Sequence, residues 1–328
     1  MLRYLKLIRT QNLVFIIFIQ YMMRQFVLVP LLETYGLNLH SEQLHLLLLI
    51  AASVLIAAGG YVVNDYFDAK IDLLNKPGKV LVGKSISKQT AMLMHQLLTL
   101  SGVSIGLMLA WWLKSTSLAL IFVVIPGLLW FYSASYKRQL IIGNLVIAFL
   151  SATSVIIVAI SEIALLKIQY RDLIYSTPVA TQLYAWTGGF AIFSFLLTWI
   201  REIIKDMEDE YGDRELECRT MPIVWGKTAS KSCVILLVCI TIALLFYINH
   251  FYIDFQGTLT LRYIIFGLVF PFGFLCYLLI KAKSPTDFHQ AAVLTKFIMF
   301  IGLLYTPVFY FLLARETGIK LFHLFTLQ

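Results

Sequence analysis

A chain of 328 residues that is 60% hydrophobic and only 13% charged is too apolar for a water-soluble domain, in which about half the residues are apolar and about a quarter are charged. The composition therefore excludes an ordinary soluble protein and indicates that a lipid bilayer is the solvent. The formal net charge of +8 is typical of cytoplasmic loops in membrane proteins. Because no basic stretch is interleaved with aromatic residues, we predict no nucleic-acid partner.

Nine apolar stretches are long enough to cross a bilayer as helices, since about 20 residues span its hydrocarbon core. Helices are required because lipid offers no partner to free backbone groups. The predicted spans, in chain order, are residues 12–33, 43–63, 90–113, 116–135, 142–166, 183–204, 231–250, 262–282 and 292–314. The sequence therefore predicts an all-α polytopic membrane protein with a single domain over residues 1–328.

Lysine and arginine are divided unequally between the two ends of these spans. If the N-terminus is cytoplasmic, 18 of the 26 Lys and Arg residues lie on the cytoplasmic side and six on the other, while Arg24 and Lys296 fall inside spans. Because cytoplasmic loops are enriched in Lys and Arg, we predict a cytoplasmic N-terminus and a C-terminus on the opposite side. We expect the cell membrane as the location and predict no protein partner.

The acidic residues are concentrated in two segments, which hold 11 of the 18 carboxylates. Both segments follow even-numbered spans, so both are expected on the cytoplasmic side. Acidic residues contribute little to membrane topology, and their clustering therefore needs another cause.

The first acidic segment continues span two and contains Asn64, Asp65, Asp68 and Asp72. Spacings of three and four residues place the three aspartates on one face of a helix. Like charges on one face repel each other unless a cation compensates them. Mg²⁺ prefers oxygen ligands and often bridges a few carboxylates to substrate phosphates. This segment therefore predicts a magnesium-diphosphate site.

The second acidic segment continues span six and repeats the pattern with Asp206, Asp209 and Asp213. Charged residues commonly flank membrane helices, so one such cluster would be unremarkable. Two clusters with the same spacing, on helices that enter the membrane in the same sense, favour a shared site. A prenyl diphosphate fits it, because Mg²⁺ and basic side chains neutralise the charge that develops on the leaving pyrophosphate. When the pyrophosphate leaves, the prenyl group becomes an allylic carbocation, and the apolar helices would exclude water from it.

The two segments resemble the paired motifs of the UbiA superfamily of intramembrane prenyltransferases. Residues 64–72 match the family motif NDxxDxxxD in full, and residues 209–213 match its DxxxD motif. The surrounding sequence, REIIKDMEDEYGDRE at 201–215, is similar to the REIxKDxEDxEGDR form of one subgroup. Residues 132–144 resemble the family's YSxxLKRxxxxGN stretch, and Arg9 with Asn12 resembles an N-terminal RxxN feature. The resemblance covers essentially the whole chain in order.

The resemblance implies nine transmembrane helices in a ring around a central cavity, built as two four-helix pseudo-repeats. It also implies Mg²⁺-dependent transfer of a prenyl group from a prenyl diphosphate to an acceptor. The catalytic residues it implies are Asn64, Asp65, Asp68, Asp72, Asp209 and Asp213. Of these, the metal-linked residues would be Asn64, Asp68, Asp209 and Asp213. The candidate substrate-binding residues are Asn12, Lys79, Lys137, Arg201, Lys205 and Asp206.

The loop after the first motif departs from the family pattern. Where the family usually has an Arg-Pro pair, this chain has Lys79 and Val80. Lysine keeps the positive charge but loses the bidentate geometry of arginine. The diphosphate contacts of this loop therefore differ from those that the family implies.

The acceptor is open at this point. The 201–215 segment is most similar to the branch that transfers geranylgeranyl groups to geranylgeranylglycerol phosphate, a lipid-like acceptor, and aromatic acceptors of quinone biosynthesis are the alternative. A cation-coupled transporter would carry its carboxylates near the bilayer midplane, whereas these lie at helix ends. A CDP-alcohol phosphotransferase would need an Asp-Gly dipeptide, which this sequence lacks.

Two further charged residues lie within or near the spans. Arg24 falls inside span one, and an intramembrane charge is a functional candidate, although it can also pair with a neighbour. Glu162 lies near the outer end of span five, where we expect it to face the membrane interface.

Overall fold

The computed structural model describes residues 2–37, 43–75, 78, 80–171, 173–322 and 325–326. Within these ranges, nine helices are long and apolar enough to cross a membrane, as the sequence predicts. They are α1 (Thr10–Thr34), α2 (Leu44–Asn75), α3 (Lys88–Trp112), α4 (Thr116–Ala134), α5 (Ile142–Tyr170), α6 (Val179–Glu215), α7 (Gly226–Phe251), α8 (Leu259–Lys281) and α9 (Pro285–Thr317).

The remaining elements are short. They are three helices, Leu2–Leu7, Leu173–Ser176 and Met221–Val224, a 3₁₀ turn at Tyr136–Arg138, and an antiparallel pair of two-residue strands, β1 (Lys320–Leu321) and β2 (Phe325–Thr326). α1 contains a π-helical turn at Arg24–Leu28, and α8 contains one at Tyr263–Val269. Such turns shift the side chains that follow them around the helix axis and occur often at functional sites.

The helices form a closed ring. Each spanning helix packs against the next one along the chain, and α9 returns to pack against α1. α2 and α6 also contact each other across the ring. The second half, α6 to α9, has its own cluster of buried apolar side chains, which includes Leu197, Ile200, Phe272 and Phe288. The ring order agrees with the architecture that the resemblance implies.

Small residues allow α2 and α3 to pack closely. A Cβ added at Gly59 would lie 2.3 Å from Thr99 Oγ1, and one at Gly102 would lie 2.9 Å from the backbone nitrogen of Ile56. Small residues at such contacts let membrane helices approach and gain van der Waals contact. This packing holds the membrane half of α2 rigidly below its acidic segment.

α2 and α6 are long helices, with 32 and 37 residues. Both continue past the predicted spans and carry the acidic segments as helix, as the sequence predicts for α2. α6 stays helical through Asp213 and ends at Glu215.

Arg24 and Glu162 form a buried ion pair between α1 and α5. Arg24 Nε lies 2.9 Å from Glu162 Oε2, and His45 Nε2 lies 2.9 Å from the same oxygen. All three residues are at most 2% exposed. The Glu162 carboxylate is thus buried between helices and compensated by residues of α1 and α2, while its depth relative to the membrane interface stays a prediction.

Candidate active site

The end of α2 holds the first motif in a hydrogen-bonded arrangement. Asn64 Nδ2 donates to Asp68 Oδ2 at 2.7 Å, and the ammonium of Lys137 contacts the same carboxylate oxygen. Asp68 is 3% exposed and Asn64 is 9% exposed. A buried carboxylate needs such compensation, because desolvation penalises its charge. The structure thus joins two residues of the first motif to Lys137, which lies on the turn before α5.

Lys137 retains its positive charge at this site. Burial alone lowers the pKa of its ammonium, but the nearby carboxylates of Asp68 and Asp72 raise it, and the net result is a pKa above the ordinary value for lysine. Lys137 is therefore a cation at neutral pH. A fixed cation beside the motif is suited to bind an anionic leaving group.

Arg9 compensates the second aspartate of the motif. Its Nη2 lies 2.6 Å from Asp65 Oδ1, and its guanidinium lies 5.2 Å from the centroid of the Tyr61 ring. Burial lowers the pKa of Arg9, yet the neighbouring Asp65 carboxylate raises it, for a net increase. The chain segment before α1 is thereby attached to the acidic face of α2.

A single side chain joins the two acidic helix ends. Asn75, the last residue of α2, donates from Nδ2 to the Asp209 carbonyl oxygen at 3.0 Å and accepts from the Gly212 backbone N–H at 2.8 Å. The ends of α2 and α6 are therefore in direct contact at the same end of the ring. This contact brings together the two segments for which the sequence predicts a shared site.

The second acidic segment is also partly buried and partnered. Asn144 Nδ2 donates to Asp206 Oδ2 at 2.9 Å, and Asp213 is 7% exposed. The Cys218 thiol lies within electrostatic reach of both segments: burial raises its pKa, and the charges of Asp213 and Asp68 raise it further. The second segment, like the first, therefore holds carboxylates that are buried or hydrogen-bonded.

Replacing Gly212 with alanine should separate the two helix ends. The added Cβ would lie 2.5 Å from Asn75 Oδ1, so the amide must move and give up its hydrogen bonds to α6. We expect a loss of about 1–3 kcal/mol in stability and a fall in turnover of about 10- to 100-fold, because small displacements of catalytic groups are costly.

Thermal unfolding and steady-state assays of the purified protein would measure both effects. Gly188→Ala is the matched control, because it lies on the same helix and its added Cβ would meet no atom within 4 Å. Equal behaviour of the two variants would contradict a positioning role for the Asn75 contact.

The predicted residues Arg201 and Lys205 lie further into the membrane along α6. Arg201 Nη1 donates to Glu202 Oε1 at 2.8 Å, and Lys205 Nζ lies 3.2 Å from Glu202 Oε2. The predicted residue Asn12, near the start of α1, accepts a hydrogen bond from Lys296 Nζ of α9 at 3.4 Å. Lys79 lies outside the described residues.

The side chains at the two helix ends fit Mg²⁺ by their chemistry. Among the described residues, no three His, Cys, Asp or Glu side chains already lie together as a metal cluster. Mg²⁺ in phosphate-transferring sites is commonly held by one or two carboxylates together with the phosphates of the substrate. Each helix therefore needs to supply only a few oxygen ligands, and Asn64, Asp68, Asp209 and Asp213 supply hard oxygens on both sides of the contact.

Two residues of this site were missed by the sequence reasoning. Asn75 carries no signal beyond its place after the first motif, because its partners are 134 and 137 residues away. Lys296 did carry a signal, since it falls inside a predicted span, where a charge is a functional candidate by default. The same rule singled out Arg24.

The nine spanning helices and the contact between the two acidic helix ends are the arrangement that the sequence predicts for an intramembrane transferase acting on a diphosphate. A family model described as the UbiA prenyltransferase family matches residues 27–304. This match spans most of the chain, so the chain belongs to the UbiA prenyltransferase family and is a prenyltransferase. The recognition made from the two motifs is confirmed.

Several known proteins are similar to this chain. A digeranylgeranylglyceryl phosphate synthase from Methanosphaera stadtmanae is 29% identical over 255 residues, which cover 76% of this chain and 82% of that protein. A solved structure of a digeranylgeranylglyceryl phosphate synthase has a TM-score of 0.61 and 24% identity, covering 94% of this chain and 97% of that one.

A second solved structure is a UbiA homolog from Archaeoglobus fulgidus bound to DMAPP and Mg²⁺. It has a TM-score of 0.56 and 14% identity, and the match covers 93% of this chain and 99% of that one. At these identities the two structures establish the fold, which is the nine-helix ring predicted from the sequence.

Proposed function

We propose that this prenyltransferase transfers a prenyl group from a prenyl diphosphate to a phosphorylated glycerol ether lipid, with Mg²⁺ and release of pyrophosphate. The observation that carries the proposal is the contact between the acidic ends of α2 and α6, made by Asn75 beside the Asp68–Lys137 pair. The acceptor is supported by the similarity to digeranylgeranylglyceryl phosphate synthases. It is also supported by the REIIKD flank of the second motif.

Different side chains would bind the metal and the diphosphate. Asn64, Asp68, Asp209 and Asp213 are the residues that would hold Mg²⁺, which when bound neutralises negative charge on the leaving diphosphate. Lys137 donates N–H groups to the diphosphate and opposes the charge that develops as the bond to C1 breaks. The apolar helices below exclude water, which would otherwise capture the allylic cation.

The reaction balances without a covalent enzyme intermediate. The bond between prenyl C1 and the diphosphate oxygen breaks, and its electron pair leaves with pyrophosphate. An acceptor hydroxyl oxygen forms the new ether bond to C1, and its proton is released. Aromatic acceptors would instead form a carbon–carbon bond to C1.

The decisive experiment uses the purified full-length protein in detergent or nanodiscs. We expect Mg²⁺-dependent release of pyrophosphate and formation of a diether when a prenyl diphosphate is supplied with geranylgeranylglycerol phosphate, read by mass spectrometry. Chelation with EDTA should abolish both products, and Mg²⁺ should restore them. Prenylation of a 4-hydroxybenzoate-type acceptor with no diether product would overturn the assigned acceptor in favour of quinone biosynthesis.

We also propose that the acidic helix ends face the cytoplasm and that the protein resides in the cell membrane. The excess of Lys and Arg at that end supports this orientation. In a variant lacking the four native cysteines, an impermeant maleimide added to intact cells should label Lys114→Cys and spare Lys281→Cys. Both positions are exposed, so the reverse labelling pattern would contradict the proposed orientation.

A further inference from the structure

A second group of basic side chains lies below the diphosphate site, within the membrane part of the ring. It consists of Arg201 and Lys205 on α6 and Lys296 on α9, and we call it the second cation group. Arg201 precedes Asp209 by eight residues, which is about 12 Å along a helix. Arg201 therefore lies about two turns before the second acidic motif on α6, and Lys205 still has charge interactions with Lys137.

The second cation group carries more positive charge than its neighbours compensate. Glu202 pairs with both Arg201 and Lys205, so one carboxylate is shared by two cations. Lys296 also has repulsive charge interactions with Arg201 and Lys205 and an attractive one with Glu202. Like charges held close together are unfavourable unless an anion joins them.

One donor of the group has no protein partner. Arg201 Nε is buried and makes no hydrogen bond, although the rest of its guanidinium pairs with Glu202. Buried polar groups are normally hydrogen-bonded, and an orphaned one requires an explanation. A guanidinium offers its N–H groups in a planar fork that matches a phosphate. The unpaired donor therefore points to an anionic ligand.

Arg9 connects this group to the diphosphate site. It pairs with Asp65 of the first motif and also has charge interactions with Lys205 and Lys296. Asn12, three residues later, accepts from Lys296. A ligand at the second cation group is thus next to the reacting end of a prenyl diphosphate held at Asp68 and Lys137.

We propose that Arg201, Lys205 and Lys296 bind the phosphate group of the acceptor. This inference rests on the proposed function, because it takes the acceptor to be a phosphorylated glycerol ether. The acceptor carries one phosphate close to the hydroxyl that attacks C1, so anchoring this phosphate beside the diphosphate site positions the hydroxyl for attack. The second cation group then determines specificity for phosphorylated over neutral acceptors.

The test compares two acceptors that differ only in the phosphate: geranylgeranylglycerol phosphate and geranylgeranylglycerol. Variants Arg201→Gln and Lys296→Gln are assayed as full-length protein, and kcat/KM is measured for each acceptor together with KM for the prenyl diphosphate. Each substitution should lower kcat/KM for the phosphorylated acceptor by about 10- to 100-fold, the usual effect of losing one charged hydrogen bond. The ratio between the two acceptors should fall by the same factor, and KM for the prenyl diphosphate should stay within about twofold of the wild-type value.

Lys281→Gln is the matched control. Lys281 ends α8, is exposed and contacts the ring of Tyr277, so both acceptors should behave as with the wild-type protein. An unchanged KM for the prenyl diphosphate also shows that a variant is folded. Because Lys296 makes one long hydrogen bond, to Asn12, Lys296→Gln tests the group with little disturbance of its surroundings.

The outcomes separate this inference from the proposed function. If the wild-type protein makes the diether but the variants keep their preference for the phosphorylated acceptor, the acceptor-phosphate site is wrong and the function stands. If the variants instead raise KM for the prenyl diphosphate with an unchanged acceptor ratio, the group binds the donor and the inference is overturned. If the wild-type protein prenylates neither glycerol ether, both fail.

Discussion

Replacing Asp68 with asparagine should lower kcat for prenyl transfer by about 10²–10³-fold, the size of effect seen when one electrostatic group is removed from an active site. Asp68 is the carboxylate that contacts both Asn64 and Lys137, and it is buried at the end of α2. The amide keeps the shape but removes the negative charge that would hold Mg²⁺. The loss should therefore appear in the chemical step, with a raised Mg²⁺ requirement.

The measurement is steady-state turnover as a function of Mg²⁺ concentration, with thermal unfolding as the check on folding. Glu210→Gln is a suitable control, because Glu210 lies on α6 beside Asp209 and is paired with Arg214 and Lys227 at the surface. Normal turnover of Asp68→Asn, or an equal loss in Glu210→Gln, would rule out the assigned role of Asp68. A variant that requires more Mg²⁺ for the same turnover supports it.

The sequence predicted the parts of the molecule that depend on local pattern. Apolar runs of sufficient length define spanning helices, and spacings of three and four residues place Asp65, Asp68 and Asp72 on one helix face. Both signals are contained within a few turns of helix. The continuation of α2 through the acidic segment followed for the same reason, since no proline interrupts it before Pro77.

The contacts between distant residues could not be predicted from the sequence, for a physical reason. Asn75 joins α2 to α6 across 134 residues, and Arg24 reaches Glu162 across 138. Hydropathy and periodicity report how one helix faces its surroundings, and they carry no information about which residue of another helix it meets. The pairing of Glu162 was not predicted because its partners lie on α1 and α2, far along the chain.

The acidic helix ends need contacts with basic side chains from other parts of the chain. Carboxylates at the C-terminal end of a helix oppose its macrodipole, which favours cations there. The molecule offsets this with Arg9 on Asp65 and Lys137 on Asp68. Cations from other elements thus stabilise carboxylates that the helix dipole alone would disfavour. The same cations are placed to bind an anionic substrate.

Replacing Glu162 with glutamine should destabilise the protein by about 3–5 kcal/mol, because it removes the carboxylate that pairs with the buried Arg24 guanidinium. Glu162 and Arg24 are at most 2% exposed, so solvent cannot screen the remaining charge. Arg24 follows Arg9 by 15 residues, about 22 Å along a helix, and turnover at low temperature should stay close to the wild-type value. The effect is measured as a lower Tm in a fixed detergent.

The double variant Arg24→Gln with Glu162→Gln distinguishes an ion pair from general packing. Removing both charges of a buried pair is often close to neutral, whereas removing one leaves an uncompensated charge. We therefore expect the double variant to unfold at a higher temperature than either single variant. If the loss of stability in the double variant equals the sum of the losses in the two single variants, Arg24 and Glu162 do not interact energetically. A gain in the double variant relative to the single variants would show that a buried ion pair joins α1 to α5 and stabilises their packing.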